Sequence, residues 1–170
     1  MKNIYLVLSD LNVQYSDKMI KLKTQANNYL SYAITCKEDN INCYIDMRKF
    51  DLTSLNFNKL EDNSDQIKVA KNSKLTCFEN KDNFIECTYT IENNDNSYKH
   101  VLGIFDINDL ELDKEFVLEE NFNINYSFDS MIQLKDNAAV IAYTTKLNVI
   151  KVIFKAITKN NLIQNNYEFI

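Results

Sequence analysis

The residues best suited to chemistry in this chain are its four cysteines. They form two pairs, each placed symmetrically about a turn sequence: Cys36 with Cys43, and Cys77 with Cys87. Residues equidistant from the turn of an antiparallel hairpin lie opposite each other, with Cα atoms about 4.5–5.5 Å apart, a separation that a disulfide can bridge. The spacing therefore predicts two hairpin disulfides, which are typical of proteins outside the reducing cytosol.

Two other roles for the cysteines stay open. Four free thiols buried in the core of a cytosolic protein would satisfy the same pattern. A metal site fits less well, because zinc-binding cysteines usually lie two to four residues apart. Here the paired cysteines are seven and ten positions apart. No metal and no cofactor is expected.

Little else in the sequence is suited to catalysis. His100 is the only histidine and lies in an apolar stretch typical of a strand, which favours a structural role. Gly103 is the only glycine, so the glycine-rich loops that hold phosphates are excluded. We predict no catalytic residues and expect that the chain is not an enzyme.

Three acidic clusters and one sequon complete the candidate sites. The clusters, at 61–65, 106–113 and 119–120, are interpreted as solvated turns in preference to calcium ligands. Asn125 begins the only Asn-x-Ser/Thr sequence, a candidate glycosylation site that matters only if the protein is secreted.

Charge and hydropathy restrict the partners. The chain has 170 residues, with 24 acidic against 19 basic side chains and a net charge of −5, which disfavours nucleic acid. No stretch approaches the roughly 18 apolar residues of a membrane helix, so no transmembrane segment is expected. The apolar run 4–8 is shorter than the core of a signal peptide.

A recurring spacing indicates how these residues are positioned. Asp10 to Cys36 and Asp51 to Cys77 are both 26 residues (36−10, 77−51), and the same step from Asp106 reaches a similar segment. Apolar segments ending near positions 10, 51, 106 and 155 recur at intervals of 41, 55 and 49 residues. These intervals bracket the roughly 40–50 residues of a four-stranded propeller blade.

Strands follow from runs of β-branched and aromatic residues bounded by Asn and Asp turns. In one unit we predict strands at 74–79, 84–91, 99–106 and 115–119, and in the next at 130–134, 139–146, 149–157 and within 164–170. Two N-terminal strands, 3–9 and 18–23, are assigned to a preceding half unit.

The predicted fold is therefore all-β, with propeller-like blades of antiparallel four-stranded sheets and about three and a half units. The units are a half blade at 1–24 and blades at 29–66, 72–120 and 128–170. A closed propeller has 4 to 8 blades, so the chain is either one β-repeat domain or part of a larger propeller. An up-and-down β-barrel or a β-sandwich is the alternative fold.

The blade-like segments, the Phe-Asp turns at Phe50-Asp51 and Phe105-Asp106, and the hairpin cysteines together resemble β-propeller modules of extracellular or cell-surface proteins of protists. The resemblance implies a non-enzymatic structural or protein-binding module, with a protein partner or self-association through open sheet edges. An intracellular (cytoplasmic) propeller scaffold and a lipocalin-like carrier of an apolar ligand are the alternatives.

Overall fold

The computed structural model describes residues 18–25, 27–36, 42–51, 57–58, 67–71, 73–80, 82–122, 126–133, 138–145, 150–158 and 161–169. These residues form thirteen strands and contain no helix, so the prediction of an all-β fold is confirmed. The chain divides into two compact units, Met1–Leu75 and Thr76–Ile170.

The first unit contains one antiparallel sheet. Its strands are β1 Lys18–Lys21, β2 Asn28–Cys36, β3 Cys43–Asp51, β4 Phe57–Asn58 and β5 Lys68–Val69. The order is β1-β2-β3-β4, and β5 also pairs with β3. Alternate residues of β2 are buried, Leu30, Tyr32, Ile34 and Cys36, because one face of the strand covers the core.

The second unit contains two four-stranded meanders in which each strand pairs with the next. The first meander consists of β6 Thr76–Glu79, β7 Phe84–Glu92, β8 Tyr98–Asp106 and β9 Leu112–Phe122. The other consists of β10 Tyr126–Gln133, β11 Ala138–Thr145, β12 Ile150–Thr158 and β13 Asn161–Phe169. Some Cα atoms of β6 and β10, the first strands of the two meanders, lie within 8 Å of each other.

Asparagine supplies the left-handed backbone that glycine would usually provide. Asn27, Asn83 and Asn96 have φ of 67°, 64° and 60°, and each lies in a turn or bend between strands. Asn tolerates this region better than most residues because its short side chain can hydrogen-bond locally. Leu110 has φ of 63° and is also buried, so packing holds it there.

The predicted strands of residues 74–170 correspond to β6–β13, with bounds differing by up to two residues except in β9, β10 and β13. The predicted strand 18–23 is wrongly assigned. It contains β1, which pairs with β2 and therefore belongs to the first sheet and not to a preceding half unit. The predicted strand 3–9 lies outside the described residues.

The 26-residue spacing does not mark equivalent positions throughout. Asp51 and Asp106 both end the third strand of their sheets. Cys36, however, lies in the second strand of its sheet, whereas Cys77 lies in the first. A fixed spacing maps to a fixed place only when the same elements lie between its two ends. Among the described residues, β1 and β2 lie between positions 10 and 36, whereas β4 and β5 lie between positions 51 and 77 before β6 begins.

Backbone hydrogen bonds between described strands stay within each of the three sheets, whereas in one continuous up-and-down barrel they would link all the strands.

The described residues contain no helix of the length and apolarity needed to cross a membrane.

Candidate functional site

Both predicted disulfides are present. Cys36 is bonded to Cys43, with Cα atoms 4.0 Å apart, and Cys77 to Cys87, with Cα atoms 4.1 Å apart. Each pair is a direct cross-strand pair of its hairpin, and all four side chains are buried. The bonds thus staple β2 to β3 and β6 to β7 within the core.

His100 lies in β8, on one face of the first meander, β6 to β9, which we call the second sheet. It is buried and directly opposite Thr90 of β7. His100 Nδ1 and Thr90 Oγ1 share a hydrogen bond of 2.9 Å. This contact gives the imidazole a defined structural partner in the sheet.

The same face of β7 carries a row of buried polar side chains. Glu86, Thr88 and Thr90 alternate along the strand, and all three are buried. Asn80 Nδ2 donates to Glu86 Oε1 at 3.0 Å, while the Thr88 hydroxyl has no hydrogen-bond partner among the described residues. Polar side chains thus occupy buried positions at the centre of this sheet, where apolar side chains usually lie.

On the opposite face, Tyr89 reaches across a neighbouring strand to the edge of the sheet. Its hydroxyl donates to Glu115 Oε2 of β9 at 3.1 Å, and Lys99 Nζ donates to Glu115 Oε1 at 3.2 Å. The strand it crosses, β8, carries Gly103 directly opposite Glu115. A Cβ atom at Gly103 would lie 2.8 Å from the Tyr89 hydroxyl oxygen and 2.8 Å from Phe105 Cε2.

We call Tyr89, Lys99 and Glu115 the Tyr89 anchor. Burial, and then the neighbouring Glu115 carboxylate, raise the pKa of Tyr89 well above its ordinary value, so the phenol stays neutral. The anchor ties the outermost strand β9 to the interior of the sheet. Sequence reasoning missed it, although a lone glycine within a strand can mark the close approach of another group.

A second tyrosine, the first residue of β8, lies opposite an acidic residue at the end of β7. Burial, and then the charge of Glu92, raise the pKa of Tyr98. In the adjoining turn, hydrogen bonds from Ser97 lower the pKa of the exposed Asp95. The Asp95 carboxylate accepts the Ser97 hydroxyl at 2.6 Å and the Ser97 backbone N–H at 3.0 Å.

Two carboxylates of the acidic cluster at 106–113 hydrogen-bond to the backbone of their own turn. Asp106 Oδ1 accepts the backbone N–H of Asn108 at 2.7 Å, and Asp109 Oδ1 accepts that of Glu111 at 2.9 Å. Carboxylates that bond the backbone two residues on form Asx turns. Within the described ranges, no group of three His, Cys, Asp or Glu side chains could hold a metal ion. The cluster at 61–65 and the sequon at Asn125 lie outside the described residues.

Strand β9 is the candidate interaction surface. It spans eleven residues and pairs with β8 on one side; on the other side no described strand pairs with it. Leu112 and Val117 are each 39% exposed, the largest exposures of bulky apolar side chains in the described part of the second unit. The unpaired side of an edge strand can accept another strand.

Register shifts divide β9 into shorter stretches. Its pairing with β8 is regular from Lys114 to Val117 and shifts on either side of this stretch. The sequence predicted only residues 115–119 here, so it missed more than half of the strand. The acidic residues at 119–120 had been interpreted as a solvated turn, but both lie in the strand.

No protein-family model, curated protein or solved structure matches this chain.

Proposed function

We propose that this chain is a non-enzymatic structural or protein-binding module of an extracellular or cell-surface assembly, built from propeller-like blades. The observation that carries the proposal is β9, a long strand with two exposed bulky apolar side chains and one side to which no described strand is paired. Adding a strand to an open sheet edge is a common mode of protein recognition, because backbone hydrogen bonds supply affinity and side chains supply specificity.

Consecutive four-stranded meanders support the propeller-like arrangement. In both meanders of the second unit the strand order equals the chain order, as in the blades of a propeller. The approach of β6 to β10 also fits this arrangement, because blades placed around an axis bring their first strands together.

The two disulfides support a location outside the cytosol. Disulfides persist in oxidising compartments and are rare in the cytosol, where thiols are kept reduced. All four cysteines among the described residues are paired. Alkylation in denaturant, after source cells are quenched directly into acid, should therefore find no free thiol in this protein before reduction and four after it, whereas four free thiols beforehand would contradict the location.

Photo-crosslinking tests the binding role of β9. A photoreactive phenylalanine analogue is placed at Val117, and in a control protein at Asn94, an exposed turn position between β7 and β8. Irradiation of source cells should give heavier protein adducts from Val117 and not from Asn94. Equal yields from both positions, or no adduct from Val117, would refute the proposed function.

A further inference from the structure

The outer strand of the second sheet is strongly acidic. Residues 111–120, which we call the acidic edge, contain five acidic residues and one lysine, a net charge of −4. Glu115 is held by the Tyr89 anchor, whereas Glu111, Asp113 and Glu120 are exposed. This edge therefore favours a basic strand as its partner.

The chain itself provides a strand with the opposite charge. Strand β1, which we call the basic edge, reads Lys-Met-Ile-Lys, and both of its lysines are exposed. Met19, between them, is 51% exposed. β1 pairs with β2 on one side, and on its other side no strand among the described residues pairs with it.

We propose that the basic edge of one copy of this chain adds to the acidic edge of a second copy. The charges are complementary, and both edges carry exposed apolar side chains that pairing would cover. The proposal rests on the proposed function and names the partner of β9.

Such pairing joins two different surfaces, so each copy uses β1 toward one neighbour and β9 toward the other. Contacts of this heterologous kind produce rings when the rotation closes and open chains when it does not. The protein would thus assemble by itself into a ring or a linear array. Because the charges are exposed, assembly should weaken as salt increases.

Charge reversal with a complementation step tests the proposal. One variant combines Lys18→Glu with Lys21→Glu, and the other combines Glu111→Lys with Asp113→Lys. Lys71→Glu with Lys74→Glu is the matched control, since it makes the same charge change at exposed positions outside β1. Sedimentation velocity is measured from micromolar to millimolar protein, and far-UV circular dichroism verifies folding.

We expect the wild type and the control to associate as concentration rises. Like charges facing each other should raise the dissociation constant of each edge variant roughly tenfold or more. An equimolar mixture of the two edge variants should associate again, because each reversed edge then meets an opposite charge. Restoration in the mixture is a result that a general loss of stability would not give.

Two results would overturn the proposal. One is a wild type that stays monomeric at millimolar concentration, and the other is a mixture that fails to associate although the wild type does. Neither affects the proposed function if Val117 still crosslinks to a different protein in cells. A Val117 adduct composed of this chain alone would support the proposal and the function together.

Discussion

Replacing Gly103 with alanine tests the packing that holds β9 to the second sheet. Glycine inside a strand normally costs about 0.5–1 kcal/mol relative to alanine, so Gly103→Ala would stabilise an ordinary strand. Here the added methyl group would lie 2.8 Å from the Tyr89 hydroxyl oxygen, 2.8 Å from Phe105 Cε2 and 2.9 Å from Tyr89 Cε1. We therefore expect the sign of the effect to be reversed.

The expected size follows from the surroundings. Tyr89 is 2% exposed and Phe105 is 1% exposed, so neither ring can move into solvent without losing buried area. Overpacking a dense core typically costs about 1–3 kcal/mol. After subtraction of the strand preference, Gly103→Ala should lower the free energy of unfolding by about 1–2 kcal/mol.

Urea unfolding of the oxidised protein, followed by far-UV circular dichroism, measures this difference. Tyr89→Phe is the partner variant. It removes the closest oxygen but leaves Cε1 in place, and by itself should cost about 1 kcal/mol for the lost hydrogen bond to Glu115. The alanine should then cost about 0.5–1 kcal/mol less in the Tyr89→Phe background. A stabilising Gly103→Ala, or strictly additive losses, would refute the packing argument.

Three other predictions concern stability. Cys77→Ala with Cys87→Ala should lower the free energy of unfolding by about 2–3 kcal/mol, since the bond closes a loop of about ten residues; a loss under about 0.5 kcal/mol in urea would contradict this. The raised pKa of Tyr89 means that its contribution is complete below about pH 10 and declines above it, because the unfolded chain ionises first. Between pH 9 and pH 11 the wild type should therefore lose about 1.4 kcal/mol more than Tyr89→Phe, and equal losses would exclude this role. Asn96→Ala should cost about 1 kcal/mol at its φ of 60°, whereas Asn96→Gly, the control, should cost nothing; equal urea midpoints for the two variants would show that the turn imposes no such constraint.

The parts of the fold that depend on local pattern could be predicted from the sequence. Hairpin cysteines lie opposite each other because antiparallel pairing is symmetric about its turn, and this symmetry can be counted along the chain. Asparagine turns and most strand bounds from residue 74 onward follow in the same way. These features need no knowledge of which sheets pack together.

The parts that depend on distant residues could not be predicted. The assignment of β1 to the first sheet depends on its pairing with β2. A four-residue strand could have the same sequence pattern in a different sheet, so the pattern does not identify the partner strand. The Tyr89 anchor links side chains 26 positions apart on different strands, with Gly103 between them. No periodicity in the sequence records such a diagonal contact.

The Tyr89 anchor also bears on the proposed assembly. An edge strand with one unpaired side lacks half of its possible backbone hydrogen bonds, so it orders at an entropic cost when a partner adds to it. The bonds of Tyr89 and Lys99 to Glu115 fix β9 from inside the sheet, at the middle of its regular stretch. This leaves the exposed acidic residues on both sides of Glu115 to meet a partner. Gly103 leaves space for the Tyr89 side chain, so packing in the core helps to hold the acidic edge in the conformation that a partner strand would bind.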